Sequence, residues 1–371
     1  MCYARGDGRQ AMNWQKAATR LAVGMAMAAV VAWCPKAAAQ AQISYRVGTA
    51  EALRGQRANG VLEVPKGVDA GYGIPVIVVN GVMPGRVLAL VAGAHGTEYA
   101  SILALERVAA ILDPMHLTGT VVILPLVNPA SFEHMVPHVN PVDGKNMNRF
   151  YPGKADGTQT ERAAYVMTKE VVERCDYLID YHGGDLDESL RPYSYWGPTG
   201  HEEQDRISKE MVLAFGLNHI ILWRDRPTDP AATRYLDNTA SVKGKPAIVV
   251  EAGHAGTVES DDVNLLVTGT ISTMRALKML EGPPLPIENP VWLEKTETVA
   301  SEKGGIFYPL VLRSVYVAEG EKLGYVTDYY GNIVSTARAP VAGVVLHICA
   351  VPTMKQGDTV AVIGVPAEKA P

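Results

Sequence analysis

The chain has 371 residues, 47% hydrophobic and 20% charged, with a formal net charge of −5. That length buries an ample core and suits one large domain with a smaller one. A slightly acidic balance, with a pI near 6.0, offers none of the strongly basic surface that nucleic-acid binding demands.

Lys16 and Arg20 precede an apolar run over 21–33, and Pro35 and Ala37-Ala38-Ala39-Gln40-Ala41 follow it. A basic start, a short apolar centre and a small-residue cleavage site predict a signal peptide over 1–41, hence a periplasmic or secreted protein. The run is too short to span a bilayer, so no membrane span is expected. Trp33 in front of Cys34 argues against lipidation there. Removal of this segment leaves Cys175 and Cys349, which either pair or stand as two buried thiols.

From residue 73 onward short apolar runs alternate with helical spacing. Residues 75–79 and 86–92 read as strands around a turn, 98–112 as a helix and 120–127 as a buried strand. Residues 159–174 suit a helix capped by Thr158 or Thr160. Residues 177–181 and 247–250 read as buried strands, and 262–280 as another helix. This alternation predicts an α/β domain over 42–285, with a mixed, largely parallel sheet flanked by helices. Pro283, Pro284, Pro286 and Pro290 mark a linker, and glycine-separated short strands over 291–371 predict a small all-β domain.

Four short segments carry chemistry. In Gly93-Ala94-His95-Gly96-Thr97-Glu98 an imidazole and a carboxylate three residues apart, at a strand-to-helix turn, can face one metal ion. His182, in Asp180-Tyr181-His182-Gly183-Gly184, ends another buried strand, and open α/β sheets gather their sites at that edge. Two histidines and one carboxylate with an open fourth position suit one catalytic zinc per chain. Asp180 shares the strand face of His182, where it either orients that ligand or serves a core-edge hydrogen bond. Glu251 closes the strand before Ala252-Gly253-His254 and is placed as the base that zinc hydrolysis needs. In the loop 143–153, Asn148 and Arg149 can grip a substrate carboxylate.

In order and type these segments resemble the succinylglutamate desuccinylase/aspartoacylase family, a branch of the zinc metallocarboxypeptidase superfamily. The resemblance covers roughly residues 72–256. His95 and Glu98 match its Gly-x-His-Gly-x-Glu motif and His182 its third metal ligand, while Asn148-Arg149 with Pro152-Gly153 match its substrate loop. Glu251 matches its catalytic glutamate, and Asn128-Pro129 an Asn-Pro that follows a core strand. The resemblance implies a zinc carboxypeptidase-like fold closed by a barrel-like C-terminal domain. It also implies hydrolysis of the amide bond of an N-acyl amino acid or short peptide bearing a free carboxylate. Deacylase and carboxypeptidase use the same chemistry and are not separated here.

One position departs from the pattern. Family members carry an arginine ahead of the substrate loop that steadies the scissile carbonyl oxygen; counting back from Asn140-Pro141, His138 stands there. Either His138 substitutes, or Arg191, Arg224 or Arg226 reaches in, or the activity is weak. The departure also leaves open an exported binding or assembly protein that keeps the fold without catalysis. The stretch 192–196, with Tyr193, Tyr195 and Trp196, either lines a pocket or packs. His116, His134, His201, His219, His254 and His347 lack ligand spacing, so surface or structural roles are expected. The C-terminal turns also resemble a biotinyl/lipoyl barrel, but no Met-Lys-Met carrier motif is present.

Overall fold

The continuous apolar runs become the centre of one twelve-stranded mixed sheet in the computed structural model, which describes residues 43–371. The predicted signal peptide over 1–41 lies outside the described residues. A ribbon of β1 (Ser44–Val47) and β2 (Ala50–Leu53) comes first. The sheet then starts with β3 (Gln56–Val64), β4 (Tyr72–Asn80) and β5 (Met83–Ala92). Helix α1 (Tyr99–Ile111) carries the chain over to β6 (Thr118–Leu124), parallel to β5. After α2 (Pro129–His134) and α3 (Gln159–Met167) come β7 (Tyr177–His182) and β8 (Glu188–Trp196). Helix α4 (Glu202–Phe215), β9 (His219–Leu222), α5 (Leu236–Val242), β10 (Ala247–His254) and α6 (Ser260–Ala276) complete this part.

Helices cover both faces of the sheet. Leu105 and Val108 of α1, Met211 and Phe215 of α4 and Leu266 of α6 share one core with Leu88, Leu90 and Ile179 of the strands. Met167 of α3 and Ala240 of α5 share the opposite core with Ala89, Val91 and Leu178. The two sets alternate along β5 and β7, as a sheet buried on both faces requires. Cys175 and Cys349 are free, buried thiols.

The sheet is less parallel than expected. Parallel pairing is confined to β6–β5–β7–β10 and to β8–β9, continuing beyond β9, and β8 runs antiparallel to β10. The reason is local: β8 starts a few residues after β7, with no helix between them to return the chain for a parallel strand.

The proline-rich segment does not detach the C-terminal strands from this sheet. β11 (Val291–Ala300) pairs in parallel with β9. Next come β12 (Gly305–Pro309), β13 (Tyr316–Val317), β14 (Lys322–Thr327) and β15 (Ile333–Arg338). β16 (Gly343–Cys349), β17 (Thr353–Met354) and β18 (Thr359–Pro366) end the chain. β11, β13, β16 and β18 lengthen the main sheet, and β16 also pairs with β8; β12, β14, β15 and β17 form a separate four-stranded sheet. Phe307, Leu323, Val345 and Ile363 pack between the two sets of strands. Among the described residues no helix is long and apolar enough to cross a membrane.

Helix α3 anchors the loop that precedes it. Asp143 accepts from the Thr160 backbone N–H and hydroxyl, each at 2.8 Å, and Lys145 Nζ donates to Glu161 at 2.8 Å. Glu161 also accepts from the Thr158 N–H in a capping box, so Thr158 rather than Thr160 is the cap. The next residue, Arg162, is 1% exposed and donates to Pro65 O, Gly157 O, Ala70 O and both the carbonyl and a carboxylate oxygen of Asp69. Replacing it leaves a half-buried carboxylate without its cation and several carbonyls without a donor at once. Arg162→Met is therefore expected to cost about 3–5 kcal/mol of stability, read as a lowered midpoint in thermal or denaturant unfolding; an unchanged midpoint would contradict this anchoring.

Candidate active site

Strand register brings three of the four segments together. Ala92 of β5 lies beside Tyr181 of β7, and His182 of β7 lies beside Glu251 of β10, all in parallel pairs. Their carboxyl ends share one edge, where open α/β sheets bind ligands. Beyond Ala92 the chain turns through Gly93 at φ 72°, where a Cβ would stand 2.9 Å from the Leu126 Cα. Glycine is required at that turn, and it brings His95 and Glu98 over the end of β7.

Glu98 is 3% exposed and divides its two oxygens between the two histidines. Oε1 lies 2.6 Å from His95 Nδ1 and Oε2 lies 3.0 Å from His182 Nδ1. One ligand atom from each of the three residues lies within 4.8 Å of the other two. Burial alone would raise the Glu98 carboxyl, but the adjoining His95 and His182 hold it down at about 2. The far ring nitrogens have partners of their own: His95 Nε2 is 3.1 Å from Asn146 Oδ1, and His182 Nε2 is 3.5 Å from Asp180 Oδ1. Both Nδ1 atoms thus face the Glu98 carboxylate, while His182 Nε2 lies between the Asp180 carboxylate and the Asn148 amide. Two imidazole nitrogens and a carboxylate this close together fit a divalent cation such as zinc.

A cavity of about 770 Å³ opens over the cluster. Glu251 and Glu188 line it, as do Tyr193, Tyr195, Trp223 and Arg149. Burial, reinforced by Glu98, Glu188 and Asp180, pushes the Glu251 carboxyl well above its usual range despite the opposing pull of His182. Burial and Glu98 likewise push Glu188 up to about 7, against the field of His138. Tyr193 and Tyr195 face the cavity while Trp196 turns to Trp292 and donates to Ser208, so the aromatic stretch both lines and packs.

The substrate loop divides its work. Asn148 is buried, with Nδ2 3.1 Å from His182 Nε2 and Oδ1 accepting from Leu236 N, so its amide is spent on holding a cluster histidine. Arg149 donates to the Asn148 carbonyl and lies over the Tyr235 ring, and no carboxylate pairs with it among the described residues. Its guanidinium remains available to an anion.

His138 lines the cavity, its ring centroid 6.1 Å from that of His95. Of the alternative arginines, Arg191 points to Asn218 and Arg226 is paired with Asp237, while Arg224 lines the cavity. His254 does not line it, but His347, expected to be structural, does so from β16, held near pKa 4 by burial. Sequence reasoning misses Asp185, Asp187, Glu188 and His347, because neither ligand spacing nor strand pattern marks them; only the position of the three acids just after His182-Gly183-Gly184 hints at them.

The fold and site together define a mixed α/β protein with a candidate metal centre, a carboxylate beside it and, at its wall, an arginine that no carboxylate pairs among the described residues. The chain belongs to the succinylglutamate desuccinylase/aspartoacylase family: residues 84–277 match the Succinylglutamate desuccinylase/Aspartoacylase catalytic domain. It is 28% identical to the N-alpha-acetyl-L-2,4-diaminobutyric acid deacetylase of Halomonas elongata over 315 residues, 82% of this chain and 90% of that protein. Its fold is shared by a succinylglutamate desuccinylase from Silicibacter sp. TM1040 (TM-score 0.75, 23% identity, 84% of this chain and 95% of the other). The ectoine utilization protein EutE (DoeB) of Ruegeria pomeroyi has it too (TM-score 0.75, 24% identity, 83% and 95%). Relatives in the family are thus amide deacylases that act on acylated amino acids.

A metal requirement is directly measurable. The purified protein, supplied with zinc and then dialysed, is expected to retain one metal ion per chain by elemental analysis. His182→Ala should lose it, since a missing ligand leaves only two protein donors; retention at the wild-type level would rule out His182 as a ligand.

Proposed function

We propose that the protein is a metal-dependent hydrolase that removes the acyl group from an N-acyl amino acid carrying a free carboxylate. The observation that carries this reading is one cavity holding the His95–Glu98–His182 cluster, Glu251 beside it and the unpaired Arg149 at its wall. The deacylase names of the relatives favour this over a carboxypeptidase. Zinc, one per chain on His95, Glu98 and His182, would supply Lewis acidity towards water and a carbonyl oxygen.

The chain's own groups account for the rest. Arg149 binds the substrate carboxylate by charge-assisted hydrogen bonds and so sets the amide over the cluster. Asn148 and Asp180 keep the His182 ring in place. Glu251 takes the proton of the attacking water and returns it to the amide nitrogen as the C–N bond breaks. Its protonated form is favoured by burial beside three other acids; a cation at the cluster acts in the opposite sense, favouring the carboxylate that a base requires. His138 donates towards the oxygen that gains charge in the tetrahedral intermediate, in place of the arginine other members carry. The pattern over 1–41 supports export to the periplasm or beyond, which cell fractionation tests.

Two outcomes are expected with N-acyl amino acids as substrates. Glu251→Gln should lower kcat by about 10²–10⁴-fold while metal content stays at the wild-type level; full activity would remove Glu251 as the base. Arg149→Ala should raise KM by about tenfold to a hundredfold for the free carboxylate and leave the corresponding amide unaffected. Equal effects on both would show that Arg149 does not bind the carboxylate.

A further inference from the structure

We propose that Asp187 is a positioning residue for the hydrolysis, orienting the His138 imidazole so that a histidine can do the work of the arginine it replaces. The proposal rests on the hydrolase reading above and deepens it.

The backbone at His138 is left-handed, φ 61°, a conformation that a non-glycine residue holds only when its surroundings impose it. Asp185, fully buried, imposes it: Oδ2 accepts the His138 N–H at 2.9 Å, while Oδ1 accepts from Leu186 N at 2.7 Å and from the Thr97 hydroxyl. Thr97 is the residue before Glu98. One carboxylate therefore ties the His138 backbone to the turn that carries the metal ligands.

The ring has a separate anchor. His138 Nε2 lies 2.9 Å from Asp187 Oδ1, and Asp187 is itself fixed through its carbonyl, which accepts from Ala350 N in the segment after β16. Nδ1 approaches Asp185 Oδ2 only at 3.3 Å and makes no hydrogen bond among the described residues. A carboxylate on one imidazole nitrogen fixes the tautomer and orientation of the other, as in the acid–histidine pairs of hydrolytic triads. The groups around the ring are Asp185, Asp187, Glu188, His95 and His347. Burial by itself would discharge the imidazole, but the hydrogen bond it donates to Asp187 and the fields of Asp185 and Glu188 push it up to about 9. Arginine needs no such support, because its charge and donor fork are intrinsic; histidine in its place does.

Asp187 is the residue to test, because its side chain is 45% exposed and its replacement leaves the buried Asp185 anchor intact. The experiment is a cycle of wild type, Asp187→Asn, His138→Ala and the double variant, each with metal content, kcat and KM on one N-acyl amino acid. Asp187→Glu serves as the conservative control. Asp187→Asn should lower kcat by about tenfold or more, leave KM within about twofold and keep wild-type metal content. His138→Ala should lower kcat at least as far, and adding Asp187→Asn to it should cost nothing further, since a residue acting through another has no effect once that other is gone. Asp187→Glu should recover part of the loss. Additive losses, a loss confined to KM, or unchanged kcat in Asp187→Asn would overturn the proposal. If the metal-loaded wild type turns over no substrate, the hydrolase reading itself fails and takes the proposal with it; the two failures are distinguished by the wild-type rate.

Discussion

A buried carboxylate shared between two imidazoles is the constraint around which this protein is organised. Glu98 gives one oxygen to His95 and the other to His182, with almost no access to solvent. Burying three ionisable groups, with Glu251 and Glu188 pushed upward beside them, is costly unless a compensating charge joins them. A divalent cation is the simplest answer, since one ion neutralises the acids and takes up both imidazole lone pairs.

Much of the architecture serves to hold those groups in register. The central strands β5, β7 and β10 are parallel, so their ends emerge together and side chains far apart in sequence become neighbours. The loop with Asn146, Asn148 and Arg149 has no regular partner strand, and its rigidity comes from the first turns of α3 through Asp143, Lys145 and Glu161. Arg162, one residue further, ties that helix to the 65–70 connection. The C-terminal strands take part as well: by joining the main sheet they bring Glu294, Thr296 and His347 to the wall of the cavity.

How far the sequence alone reveals this depends on the kind of signal each element carries. The buried strands β5, β6, β7 and β10 and the helices α1, α3 and α6 are continuous apolar or periodic runs, and the expected positions agree with the observed ones to within a few residues, except that α3 ends at Met167 and a π-helical turn over Thr168–Val172 takes up most of the rest of 159–174. The elements before residue 72, β9 and α5 carry no such signal, whereas α4 buries Gln204, Ser208, Met211, Val212 and Phe215 at helical spacing, a periodicity that the expected elements pass over. β9 has only four residues, and α5 buries Asp237, Asn238, Thr239 and Ser241, a composition that reads as loop. The histidine–glutamate motif and the paired strand ends mark His95, Glu98, His182 and Glu251, because metal ligands need particular atoms at particular spacing. Asn148 reads as a substrate grip; it lines the cavity and also contacts His182, a contact that no local pattern foretells. Asp185 and Asp187 matter only through a loop that returns to His138, a contact 47 and 49 residues away along the chain.

The most direct test of the account is X-ray absorption at the zinc edge of the purified, zinc-loaded protein. A first shell of nitrogen and oxygen at about 2.0–2.2 Å, with outer scattering from two imidazoles and no sulfur, is the result this site predicts. A sulfur-containing shell, a single imidazole, or the spectrum of hydrated zinc would contradict it.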